Sequence, residues 1–83
     1  MNGYLFTFRS ITPAQRGEAV LRRRGVDAAL RRTPRSIADK GCGYALRVPV
    51  LQLNRAVSAL REQNVPFQRV YLQTGEQLEE VWV

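Results

Sequence analysis

Apolar residues along this chain change period several times, and each change marks an element. Residues 4 to 8, Tyr4-Leu5-Phe6-Thr7-Phe8, have the aromatic and apolar composition of a β-strand, and the run ends at Arg9-Ser10. Thr12 then offers an N-cap oxygen with Pro13 at the first helical position. Ala14, Gly17, Val20 and Leu21 recur on one face until Gly25, so a helix is predicted over residues 13–24. Val26, Ala28 and Leu30 alternate with Asp27 and Ala29, which predicts a second strand over 26–32, ended by Thr33-Pro34. A loop from Arg35 to Gly41 leads to a third strand, in which Tyr44, Leu46 and Val48 alternate with Ala45 and Arg47 before Pro49 closes it. Leu53, Ala56, Val57 and Leu60 have the i, i+3, i+4, i+7 spacing of a helix laid on a core, and this helix should stop near Asn64, before Pro66. The stretch FQRVYL at 67–72 predicts a fourth strand.

Strand, helix, strand, strand, helix, strand with short connections is the order of a ferredoxin-like α+β sandwich, βαββαβ. Such a sandwich has one antiparallel sheet with both helices on one face. After Thr74-Gly75 comes a short C-terminal extension, EQLEEVWV, which reads either as an edge strand or as a turn of helix that docks Trp82. With 83 residues, 45% of them hydrophobic, the chain is expected to form a single domain over 1–83 with one modest core.

Composition narrows the chemistry. One cysteine and no histidine exclude a disulfide within the chain and leave no ligand set for a metal cage, so neither a metal nor a cofactor is expected. The N-terminus lacks the apolar run of a signal peptide, and no stretch approaches the roughly 20 apolar residues that span a bilayer. A cytoplasmic protein with no membrane partner is the expectation. The net charge is +6, with arginine supplying twelve of the thirteen basic residues. Arg22, Arg23 and Arg24 end the first helix, while Arg31, Arg32 and Arg35 lead towards the cysteine; guanidinium groups suit phosphate or carboxylate partners, and equally form solvated faces.

Cys42 stands between Gly41 and Gly43 in KGCGYALR, at the entrance to the third strand. Neighbours without side chains leave a thiol sterically open. The thiolate is the reactive form, and its pKa of about 8.5 falls beside cations. Lys40, Arg35 and Arg47 are the cations near in sequence, and Gly41 and Gly43 can leave backbone N–H groups accessible to an anion. The residues alone leave three readings of Cys42 open: a group carrier, a small hydrophobe and a bystander.

The stretch TPRSIADKGCGYALRV resembles the small bacterial proteins grouped as the putative selenium/sulfur carrier protein-like family, over about residues 3–73. Thr33, Pro34, Arg35, Ile37, Cys42, Gly43, Ala45, Leu46 and Arg47 follow the family's pattern in order, although Ala38-Asp39 stands where serines recur. The resemblance implies a carrier and not an enzyme. Cys42 would hold a persulfide or selenosulfide taken from a donor protein and yield it to an acceptor protein. Arg35 and Arg47 would stabilise the anionic sulfur, with Gly41 and Gly43 keeping the path clear.

Two other classes remain. The RNA-recognition fold shares the strand order, and Lys40, Gly41, Gly43 and Tyr44 match part of its third-strand pattern, with Phe6 as a further stacking platform; nucleic acid is still the less expected partner, because it leaves the Thr-Pro-Arg unexplained. A ligand-binding or homodimerising interaction module would use an exposed aromatic sheet face that includes Tyr44 and Tyr71 or their neighbours on the opposite face.

Overall fold

The first strand of the chain lies at the centre of the sheet. In the computed structural model, which describes residues 2–38 and 43–83, the elements are β1 (Asn2–Thr7), α1 (Ile11–Arg23), β2 (Ala29–Arg32), β3 (Tyr44–Val48), α2 (Leu53–Glu62), β4 (Val70–Thr74) and β5 (Gln77–Val81). Single 3-10 turns occupy Arg35–Ile37 and Val50–Gln52. The five strands form one antiparallel sheet in the order β2-β3-β1-β4-β5, giving an α+β architecture. Strand β1 pairs with β3 through Tyr4↔Val48 and Thr7↔Ala45, and with β4 through Leu5↔Tyr71 and Phe6↔Val70.

Alternation along the strands sends one set of side chains into the core. Phe6, Leu46, Val48 and Val70 form a single buried cluster with Ala14, Val20 and Leu21 of α1 and Ala56, Val57, Ala59 and Leu60 of α2. Phe6 meets Phe67 edge to face at 5.1 Å and 78°. Gly17 lets α1 approach closely, since a Cβ there would stand 2.9 Å from Leu46 Cδ1 and 3.3 Å from Leu60 Cδ2. Leu5, Ala45 and Tyr71 are buried too, but they project to the opposite side of the sheet and lie outside this cluster.

Both helices end in the same way. Beyond α1, Gly25 takes a left-handed φ of 77°, its N–H reaches Arg22 O at 3.2 Å, and the Val26 N–H reaches Leu21 O at 2.9 Å. Beyond α2, Asn64 takes φ 55°, its N–H reaches Arg61 O at 3.2 Å, and the Val65 N–H reaches Leu60 O at 2.9 Å. These are two Schellman closures, and each delivers a buried valine to the core, Val26 and Val65.

The element boundaries depart from expectation for identifiable reasons. Helix α1 begins at Ile11 with Ser10 as N-cap, so Pro13 falls within the first turn, where the missing N–H costs no helical bond. Strand β2 starts only at Ala29, because the Val26 N–H is committed to the helix closure and the Ala28 N–H turns back to Val26 O. Before β4, Gln68 donates to Thr7 O and Thr7 donates to Arg69 O, so two residues face one in a bulge. The Thr7 hydroxyl accepts the Arg69 N–H there at 3.2 Å. That extra residue is why Phe67 and Val70, three apart, both reach the core. The extension forms strand β5, joined to β4 by a two-residue turn with Gly75 at φ 61°, and Trp82 stays exposed instead of docking.

Phe6→Ala should cost about 3–5 kcal/mol of unfolding free energy in a denaturant titration. Gly25→Ala should cost about 1–2 kcal/mol, because a Cβ in the left-handed region meets the following carbonyl. A neutral Gly25→Ala variant would contradict the helix closure described.

Candidate functional site

The sequence TPRSIADKGCG is carried between β2 and β3. Pairing of Arg31 with Ala45 and of Arg32 with Tyr44 runs one residue further, where the Thr33 N–H donates to Gly43 O at 2.9 Å. This bond closes the base of the connection from Pro34 to Cys42. Pro34, at φ −57° and ψ 144°, turns the chain out of the sheet, and the 3-10 turn follows, with the Ile37 N–H on Pro34 O at 3.1 Å. Gly41 and Cys42, predicted as the anion cradle and the reactive thiol, lie outside the described residues, as does Lys40.

The described residues at the start of that connection carry exposed cations. Arg35, in the 3-10 turn, is exposed, and so are Arg31 and Arg32 at the end of β2. The Arg32 guanidinium carbon stands 5.5 Å from the centroid of the Tyr44 ring, a cation–π pair directly beside Gly43. A Cβ on Gly43 would meet Arg32 Nη1 at 3.8 Å, which is ordinary contact. Space for a side chain therefore exists at Gly43.

Arg47 is placed elsewhere. Its Nη2 donates to Asn2 O at 3.0 Å, and its Cζ would stand 2.9 Å from a Cβ on Gly3, so Gly3 makes room for the guanidinium. Asn2 begins β1, five residues before the Thr7↔Ala45 level, about 16 Å along the strand. The charged end of Arg47 is thus held away from Gly43, while Arg32, opposite Tyr44, and Arg35, in the turn after β2, stay at the Thr33–Gly43 end of the sheet. Sequence reasoning missed the Arg32–Tyr44 pair. The signal was present in the alternation of the two strands, but it needed the register to show that these residues face each other.

Each rival reading loses one of its aromatic residues and keeps Tyr44, which is 37% exposed at the start of β3. Phe6, proposed as a base-stacking platform, has no exposed surface and packs against Phe67. Tyr71, expected on an exposed aromatic face, is only 8% exposed. Phe6 is buried because its side of β1 packs on both helices; Tyr71 lies on the other side of β4, between its paired neighbours Leu5 and Glu80. Among the described residues there is no group of three or more Cys, Asp or Glu placed to hold a metal ion, and no helix is long and apolar enough to cross a membrane.

Comparison with known proteins gives one finding. The family model described as "Putative Se/S carrier protein-like" matches residues 3–72 of the 83, a span that contains β2 and β3 whole, all of β1 but its first residue, the first three residues of β4 and none of β5. No curated protein matches. No solved structure matches.

A double-mutant cycle of Arg32→Ala and Tyr44→Leu should give a coupling of about 0.5–1 kcal/mol in unfolding free energy. Additive effects would show that the cation–π pair contributes nothing.

Proposed function

Since this chain belongs to the putative Se/S carrier protein-like family, we propose that Cys42 carries a single sulfur or selenium atom between two proteins. The observation that carries this reading is that the family match spans the chain's one thiol. In the loading step the Cys42 thiolate attacks the terminal sulfur of a donor persulfide. One S–S bond forms at Cys42, one breaks in the donor, and the donor's thiolate leaves with the electron pair, so no external oxidant or reductant is needed. An acceptor nucleophile reverses the exchange, and a selenosulfide follows the same balance. No general base is required, because the thiolate is itself the nucleophile.

Arg35 is the residue we assign to the negative charge of the thiolate and its loaded form. It is exposed, three residues past β2, on the connection that carries Cys42. Gly41 and Gly43, which have no side chains, would leave the sulfur open to a partner's reacting group. Arg47 takes a structural part in this reading: its bond to Asn2 O ties β3 to the beginning of β1. The strand order β2-β3-β1-β4 supports a ferredoxin-like frame to which β5 is appended. In such a frame the chain presents the thiol and the partner enzymes supply the catalysis.

The test is intact mass spectrometry of anaerobically purified protein after incubation with a cysteine desulfurase and L-cysteine. Wild-type protein should gain one sulfur atom, lose it to a reductant, and show no gain as Cys42→Ser. An unmodified wild-type thiol would overturn the reading. Alkylation by neutral iodoacetamide should slow severalfold in Arg35→Ala and hold the wild-type rate in Arg47→Ala.

A further inference from the structure

The end of the sheet at which β1 finishes and β3 begins is lined by arginines from four parts of the chain. Arg31 stands opposite Ala45, Ala45 opposite Thr7, and the Thr7 N–H bonds to Arg69 O. Arg31 and Arg69 therefore share a transverse row, three strand spacings or about 14 Å apart. Arg9 prolongs β1 two residues past Thr7, and Arg35 follows β2 in the 3-10 turn. All four side chains are exposed. Trp82 continues the row, for Val81 pairs with Val70 and the next residue along β5 falls beside Arg69.

Trp82 is 87% exposed, yet the residues on both sides of it are held. Val81 packs against the core, and the Val83 carbonyl oxygen accepts a bond from Arg61 Nη2 at 2.7 Å. The indole is thus presented to water by anchored backbone. Between Arg9 and the chain entering β4 lies a recess of about 380 Å³, lined by Arg9, Ser10, Pro13, Pro66, Phe67 and Gln68.

We propose that this end of the sheet, from Arg31 and Arg35 across Arg9 and Arg69 to Trp82, is the docking surface for an acidic protein partner. The partner sets carboxylates against the guanidinium groups and receives the indole in an apolar socket. Arginine and tryptophan are the side chains that most often dominate protein interfaces, and a guanidinium fork matches a carboxylate. Glu79 and Glu80 immediately precede Trp82 and Val81, so a phosphate chain drawn to the arginines is repelled at the indole, whereas a protein can put charge and apolar surface in separate places. Two arginines of the run at the end of α1 have partners within the chain. Arg22 pairs with Glu18 at 3.6 Å and donates to Ala28 O at 3.3 Å, and Arg24 pairs with Glu62 at 3.1 Å. The docking surface flanks the Thr33–Gly43 base of the Cys42 connection, but docking itself does not depend on what the thiol carries.

The test is an amide-shift titration of the full-length chain with a short glutamate-rich peptide ending in an apolar segment, alongside a single-stranded oligothymidylate of equal charge. The peptide should perturb the amides of Arg9, Arg31, Arg35 and Arg69 and the Trp82 indole N–H, and its binding should weaken with added salt. Arg31→Glu and Trp82→Ala, each checked for a native spectrum, should each weaken the peptide about tenfold, with Arg23→Glu close to wild type. Non-saturable shifts, shifts centred on Arg22 to Arg24, or tighter oligothymidylate binding through the same residues would each overturn the proposal.

Discussion

Strand β1 is hydrogen-bonded along both edges, and the partners it joins come from the two halves of the chain, β3 before α2 and β4 after it. Residues 2–7 therefore fix the level at which everything else stands. Their most buried side chain, Phe6, touches the second half through Phe67 and belongs to the cluster that includes both helices. A shift of one residue in either register would turn Phe6 out of the core and Leu5 into it. The cost of that exchange is what holds the Arg31-Ala45-Thr7-Arg69 row in line and sets the base of the cysteine connection at one end of the sheet.

The helices enforce the same arrangement from outside the sheet. Each closes on a left-handed residue and sends a valine straight into the core, so the chain leaves the helix in a fixed direction. After α1 this shortens β2 to four residues, with its edge partly covered: the Leu30 N–H donates to Glu18 Oε2 at 3.3 Å. Such a contact protects an edge strand from pairing with another chain. After α2 the exit leads into the bulge opposite Thr7, which adds a residue without disturbing the pairing beyond it.

At the other edge, β5 lies beyond the span matched by the family model, and it changes what the sheet presents. It covers the outer edge of β4 and replaces it with a strand bearing Glu79 and Glu80. It also carries Trp82 to the same end of the sheet as the cysteine connection. Glu79 and Glu80 thus set negative charge on this margin of a chain whose net charge is +6.

Periodicity alone was enough to identify the two helices, four of the strands and the α+β class, because burial of one face imposes spacings of 2 and 3.6 on any chain that forms such a core. Cys42 was legible as the candidate thiol for a simpler reason: it is the one cysteine, and it stands between glycines. Three things were settled only in the fold. The bulge at Gln68–Arg69 depends on Thr7, more than sixty residues earlier. The tail became a strand because β4 offered an unpaired edge, which a local sequence window does not contain. The arginines were sorted by direction: Arg47, three residues beyond Tyr44, turns to Asn2 at the far end of β1, whereas Arg32 lies over Tyr44 beside Gly43. A long side chain spends its charge where an acceptor or a ring lies within reach, and that neighbour is set by the register between strands.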